Sequence, residues 1–127
     1  MHHTAQKTIG IVGTRRRDTD EDFTAVEKAF LEIYKPGDMI CSGLCPRGGD
    51  RFAVVLSTKY HIPSLWFPPD WGKYGRSAGF MRNTLIAQVS DVLIACVAPN
   101  RTGGTEDTIR KFTLLGKKNL VIVSPKA

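Results

Sequence analysis

The stretch TIGIVG, from Thr8 to Gly13, decides the fold. It is an apolar run of strand length that ends on a glycine. Arg15, Arg16 and Arg17 follow, and then an acidic segment from Asp18 to Asp22 that suits the start of a helix. Phe23, Val26, Phe30 and Ile33 continue at spacings of three and four, one face of an amphipathic helix that Pro36 and Gly37 stop. A strand, a glycine turn and a helix in that order are the opening of a βαβ unit.

Working outward, the alternation recurs. Asp38 to Ser42 reads as a second strand, Gly43 to Gly49 as a loop, and Asp50 to Tyr60 as a helix with Phe52, Val55, Leu56 and Tyr60 pointing one way. Pro63 to Phe67 gives a third strand, and a polar, glycine-rich segment from Pro68 to Gly79 separates it from a helix over Phe80 to Val89. That helix carries Met81, Leu85 and Val89 on one stripe. Asp91 to Val97 is the fourth strand, Pro99 to Gly104 a loop, Thr105 to Leu115 a helix capped by Thr105, and Leu120 to Val123 the fifth strand. Such alternation implies one α/β domain in three layers, a mainly parallel five-stranded sheet with helices on both faces. The natural strand order is 3-2-1-4-5, which puts the topological switch between strands 1 and 4. Ligands of such sheets bind beyond the carboxyl ends of the strands at that switch, so the loops after Gly13 and Ala98 should meet around one.

Length and composition agree. The 127 residues fit one domain with a sizeable core, and 42% hydrophobic with 24% charged residues is ordinary for a globular chain. No apolar run is long enough for a membrane span, and the start MHHTAQKT lacks the apolar core of a signal peptide, so a cytoplasmic protein is expected, with residues 1–6 flexible. Eighteen Lys and Arg against 12 Asp and Glu give a formal charge of +6, which favours anionic partners such as nucleotides or nucleic acid. Of the three cysteines, Cys41 and Cys45 lack a second pair at zinc spacing, and Cys41 and Cys96 fall in strands, so core packing is expected and no metal or cofactor.

The polar and glycine-rich residues collect in the loops that the topology singles out. They are Gly13, Thr14 and Arg15 after strand 1, and Ser42, Gly43, Arg47, Gly48 and Asp50 after strand 2. After strand 3 come Asp70, Trp71, Arg76, Gly79, Arg82 and Asn83, and after strand 4 Gly103, Gly104 and Thr105. Glycine before a helix N-terminus lets backbone N–H groups approach a phosphate, and arginine adds bidentate contacts to its oxygens. Trp71 and Tyr74, beside Lys73 and Arg76, offer a face on which a base could stack. The phosphate loop of ordinary ATPases, the dinucleotide fingerprint and the nucleophile elbow are all missing.

Over nearly its whole length the chain resembles the SLOG superfamily of Rossmann-like domains, and within it the YspA-like group. The resemblance rests on Gly13-Thr14-Arg15, on Ser42-Gly43 through Arg47 to Arg51, on Asp70-Trp71, on Gly75 to Gly79, on Arg82-Asn83, and on Asp91 and Gly104-Thr105. It implies a nucleotide or nucleotide-derived ligand with its phosphate on the glycine loops, and a homodimer or higher homo-oligomer. Lonely-guy phosphoribohydrolases, more distant members, release a free base from a nucleoside monophosphate with an arginine and a glutamate. Arg82 and Asp91 reproduce the spacing of their arginine, but Thr108 stands where their motif has the glutamate, with Glu106 and Asp107 nearby.

Three readings follow. The first is a small-ligand binding protein, a sensor or sequestering domain, in which Arg15, Arg82, Gly103, Gly104 and Thr105 hold phosphate and Asp50 or Asp70 contacts a sugar hydroxyl. The second is a nucleoside 5′-monophosphate N-glycosidase with Arg82 orienting the substrate and Glu106 or Asp107 supplying the carboxylate that stabilises positive charge on the ribose. The third is a single-stranded DNA-binding protein of the DprA type. Against the third, the basic run Arg15 to Arg17 is followed at once by acidic residues, which breaks up an extended basic track.

Overall fold

The computed structural model describes residues 6–125, so of the N-terminal stretch expected to be flexible only Gln6 lies within the described residues. Five strands, β1 (Thr8–Gly13), β2 (Met39–Ser42), β3 (Ser64–Trp66), β4 (Val92–Cys96) and β5 (Leu120–Val123), form one sheet in the order β3-β2-β1-β4-β5. Every pairing is parallel, and β1 and β4 are neighbours across the switch, with Ile11 opposite Ile94 and Gly13 opposite Cys96. The expected order holds, and the sheet, expected to be mainly parallel, is parallel throughout.

Because strand side chains alternate, the central strands feed two cores. On one face Ile9, Ile11, Ile40 and Ile94 pack with Val26 and Phe30 of α1 (Asp20–Ile33) and Phe52 and Leu56 of α2 (Gly49–Tyr60). On the other, Val12, Cys41, Leu93 and Ala95 pack with Ile86 and Ala87 of α4 (Ala78–Val89) and Phe112 of α5 (Gly104–Leu114). Double coverage explains why these strands read as unbroken apolar runs. The acidic segment after Arg17 starts α1 as its composition suggests. Thr19 and Asp22 form a capping box, the Thr19 hydroxyl accepting the Asp22 N–H at 3.1 Å and the Asp22 carboxylate accepting the Thr19 N–H at 3.3 Å.

Four details depart from the sequence reading. Pro68 to Gly79 is not one irregular loop: Asp70 caps a single turn of helix, α3 (Trp71–Tyr74), and a 3₁₀ turn over Gly75–Ser77 leads into α4. The Met81–Leu85 stripe of α4 faces outward, 44% and 45% exposed, while Ala78, Asn83, Ile86 and Ala87 face inward. Arg82, Asn83, Thr84 and Gln88 interrupt its apolar residues on several sides, so periodicity could not choose the buried face. Val55, expected inside α2, is exposed beside the buried Phe52 and Leu56. Finally, α5 begins at Gly104 with Gly103 as its N-cap, so Thr105 lies inside the first turn and caps nothing.

Candidate functional site

Beyond the carboxyl ends of β1 and β4 lies a cavity of about 870 Å³, in the range of small-molecule sites. Its walls come from the loops after β1, β2, β3 and β4, as the topology requires. Four residues of the expected set reach it from the first two: Gly13, Thr14, Arg15 and Asp50. Trp71, Arg82 and Asn83 reach it from the third region, and Gly103, Gly104 and Thr105 from the fourth. Ser42, Gly43, Arg47, Gly48, Asp70, Arg76, Gly79, Glu106 and Asp107 do not line it.

The two helix N-termini near the cavity differ in kind. At α2, Gly49 is pressed onto the end of β1, where a Cβ would stand 2.3 Å from the Gly13 nitrogen. No ligand group fits between backbones so close. Gly48 donates its N–H to Asp18 Oδ1 at 2.7 Å, and Arg51 Nε donates to the same oxygen at 2.7 Å. The backbone bond to Gly48, then Arg51, holds the Asp18 carboxyl below its ordinary value. The protein's own carboxylate therefore sits at this N-terminus, and Arg47 is left exposed.

Among the described residues, the N-terminus of α5 holds no such group. Gly103, at φ +110°, turns the chain into the helix without a side-chain cap, leaving the first N–H groups without intrahelical acceptors. Thr105, only 9% exposed, lines the cavity, and among the described residues its hydroxyl has no hydrogen-bond partner. Arg15, exposed on the opposite loop, also has neither hydrogen bond nor ion pair among the described residues. Its neighbours are engaged elsewhere. Arg16 Nη2 donates to Asn100 Oδ1 and the Thr102 carbonyl, both at 3.0 Å, and so ties the β1 loop to the β4 loop. Arg17 is buried, donating to the carbonyls of Val97 and Val123 and pairing with Asp22 at 2.9 Å.

The floor is a polar cluster around Asp50 and Arg82. Asp50 is buried; Ser42 Oγ lies 2.9 Å from its Oδ1, and its Oδ2 accepts the Cys45 N–H at 3.0 Å with Arg82 Nη1 3.5 Å away. Burial pushes the Asp50 carboxyl above its ordinary value, against the pull of the Cys45 N–H, Arg82 and Ser42. Arg82 crosses directly over Gly43, where a Cβ would stand 2.2 Å from Nη1, and donates to the Gly43 carbonyl at 3.0 Å. Its Nε donates to Asn83 Oδ1 at 3.0 Å. Asn83 in turn donates to Asp107 Oδ2 at 3.1 Å and to the Gly104 carbonyl at 3.3 Å, locking α4 to the first turn of α5.

That lock fixes where the two acidic residues of α5 go. Asp107 is buried among Asn83, Arg110 and Lys111, and Glu106 pairs with Arg101 at 2.8 Å. Thr108, 1% exposed, is the member of that turn that lines the cavity instead. Thr108, read from the sequence only as the residue at the motif-glutamate position, and Cys45 and Pro46 line the cavity although they were not among the expected ligand-binding residues; a helical turn places the residue three after Thr105 on its face, and that spacing is the signal for Thr108. Cys45 is half-buried in the wall, whereas Cys41 and Cys96 are buried with thiols pushed up to about 11. No cluster of three or more His, Cys, Asp or Glu that could hold a metal occurs among the described residues.

No protein-family model matches the chain, and no curated protein matches it. Among solved structures, the molybdenum cofactor binding protein from the phototrophic bacterium Rippkaea orientalis is similar. The TM-score is 0.72 at 19% sequence identity, over 98% of this chain and 80% of that one. At this identity the likeness shows a shared fold.

Proposed function

We propose that the chain binds a nucleotide or nucleotide-derived phosphorylated molecule in this cavity, as a sensor or sequestering protein. One observation carries the reading: the uncapped start of α5, the unpartnered Thr105 hydroxyl and the free Arg15 guanidinium border the same cavity. Backbone N–H groups, a hydroxyl and a cation around one space form a phosphate cradle. Arg82, paired with Asp50 at the floor, adds positive charge. That a protein of the same fold binds the molybdenum cofactor is consistent with a small-ligand role.

Binding is favoured over glycosidic cleavage because Glu106 and Asp107 are both committed to ion pairs outside the cavity. It is favoured over single-stranded DNA because Arg16, Arg17 and Arg51, three cations of the basic loops, are spent on internal bonds. The test is a thermal-shift panel at fixed low salt with nucleoside mono-, di- and triphosphates, ADP-ribose, cyclic nucleotides and a short DNA strand. A ligand at 100 times its Kd should add about 2.7 kcal/mol. A shift with one nucleotide class, lost in Arg15→Ala, supports the reading. A shift with DNA alone overturns it.

A further inference from the structure

The segment from Pro68 to Ser77 is attached to the rest of the molecule in an unusual way. Its hydrogen bonds are internal: Asp70 accepts the Lys73 N–H through its side chain at 3.0 Å, and its carbonyl accepts the Tyr74 N–H at 3.0 Å. Gly75 donates to the Trp71 carbonyl, and Ala78 at the start of α4 donates to the Gly75 carbonyl. Among the described residues, no hydrogen bond joins this segment to the sheet or to α1, α2 or α5. Every residue from Trp71 to Ser77 is exposed.

Two exposed aromatics on such a segment need a reason. Trp71 is 59% exposed, yet it borders the cavity together with Pro68 and Pro69. Its Cη2 atom lies 3.8 Å from where a Cβ on Gly79 would stand, so the rim of the indole is seated at the base of the segment and most of the ring stays uncovered. The ends are also unlike each other. Two consecutive prolines stiffen the arm leaving β3, whereas Gly75, at φ +55°, adopts a backbone conformation that suits a pivot on the arm entering α4.

We propose that Pro68–Ser77 is a strap that closes over a planar heterocycle of the ligand, with Trp71 as the stacking surface. The inference rests on the phosphate cradle described above and extends it: the phosphate lies at Thr105 and Arg15, and the ring lies under Trp71 at the β3 side of the same cavity. A flat aromatic face selects any base-like ring over a ring-free phosphate ester, without reading its edge. Closure also buries apolar indole surface that the open form leaves in water.

The experiment compares four probes by calorimetry: ribose 5-phosphate, AMP, GMP and flavin mononucleotide. The first carries the phosphate without a heterocycle. At least one ring-bearing probe should bind about tenfold more tightly than ribose 5-phosphate, which is the ~1.4 kcal/mol expected within the range for one base on one aromatic. Trp71→Ala should abolish that difference and Trp71→Phe should keep most of it; at an exposed position neither change threatens folding. The same probe should slow tryptic cleavage after Lys73 and Arg76, and ribose 5-phosphate should not. Equal binding of all four probes, or a preference that survives in Trp71→Ala, overturns the strap and leaves the phosphate cradle standing. Binding of none of the four overturns both.

Discussion

The carboxylate of Asp18 accepts the Gly48 N–H at 2.7 Å and so fills the N-terminus of α2 from within the protein. Among the described residues, the start of α5, across the cavity, has no such group. Two glycine-preceded helix starts that look alike in sequence are thereby divided, one for the fold and one left open. Asp18→Ala should cost about 1–2 kcal/mol in urea denaturation at pH 7, the range for a lost charged hydrogen bond at a partly exposed site. Asp18→Asn, which keeps one acceptor oxygen, should cost less. Because the fold lowers this carboxyl below its ordinary 3.8, its contribution is present above that value and is lost as pH falls through the lowered one. The Asp18→Asn protein should therefore lose stability less steeply than the parent below about pH 4.

Asp50 follows the opposite sign. Ser42 Oγ lies 2.5 Å from the Ile11 carbonyl and 2.9 Å from Asp50 Oδ1, yet a hydroxyl has one proton to give. The Ser42 proton therefore serves only one of the two acceptors at a time, and burial is what pushes the Asp50 carboxyl up. A group raised in the fold stabilises it below its ordinary value, and that contribution is lost as pH rises through the raised one. Asp50→Asn, whose amide can donate to Ser42 and accept from Cys45, should stay within about 1 kcal/mol of the parent at pH 7, whereas Asp50→Ala should lose about 1–3 kcal/mol. Paired denaturation curves at pH 4 and 7 check both. Relative to the parent, Asp50→Asn should be more stable at the higher pH.

Thr105 and Arg15 separate binding from folding. Among the described residues the Thr105 hydroxyl has no partner and Arg15 makes no ion pair, so neither change removes an internal bond there. Thr105→Val should leave the unliganded Tm within a few degrees and weaken binding of the nucleotide identified by thermal shift about five- to tenfold, as expected for one lost hydrogen bond. Arg15→Ala should weaken it more, and its effect should shrink as salt is raised. Calorimetry at two salt concentrations measures both.

Much of this arrangement was legible in the chain. The five strands and their order followed from apolar runs alternating with helical periods, and the order located the cavity before any side chain was considered. What the sequence could not divide was which arginines and glycines face a ligand. Gly48 and Gly103 both precede helices, but only the partner 30 residues away, Asp18, decides that the first is filled. Arg110 and Lys111 stand three and four residues after Asp107, and Arg101 five before Glu106, so these ion pairs follow local spacing; only the bond from Asn83 to Asp107 depends on the packing of α4 on α5, which no local pattern encodes. The outward face of α4 was hidden for a related reason: polar and apolar residues spread evenly round a helix give no periodicity to read.

Arg17 is the clearest case of a residue whose role comes from the fold. In sequence it is the third of three consecutive loop arginines. In the structure it is 7% exposed, and it donates to the last carbonyls of the β4 and β5 region, Val97 and Val123, while its Nε pairs with Asp22 inside the capping box of α1. It thus joins the sheet edge, the start of α1 and the loop that carries Thr14 and Arg15. Arg17→Ala should destabilise the protein by about 2–3 kcal/mol, since the buried Val97 carbonyl loses its donor, the Val123 carbonyl keeps only the Val97 N–H, and Asp22 loses its cation. Arg17→Lys should recover only part of this, because one ammonium cannot reproduce the geometry of a guanidinium fork that serves two carbonyls and a carboxylate. Arg15→Ala, two positions earlier and exposed, should fall within about 0.5 kcal/mol of the parent. Urea denaturation of the three variants side by side decides the matter: equal, small losses at both positions would show that the buried Arg17 network contributes nothing to holding this loop.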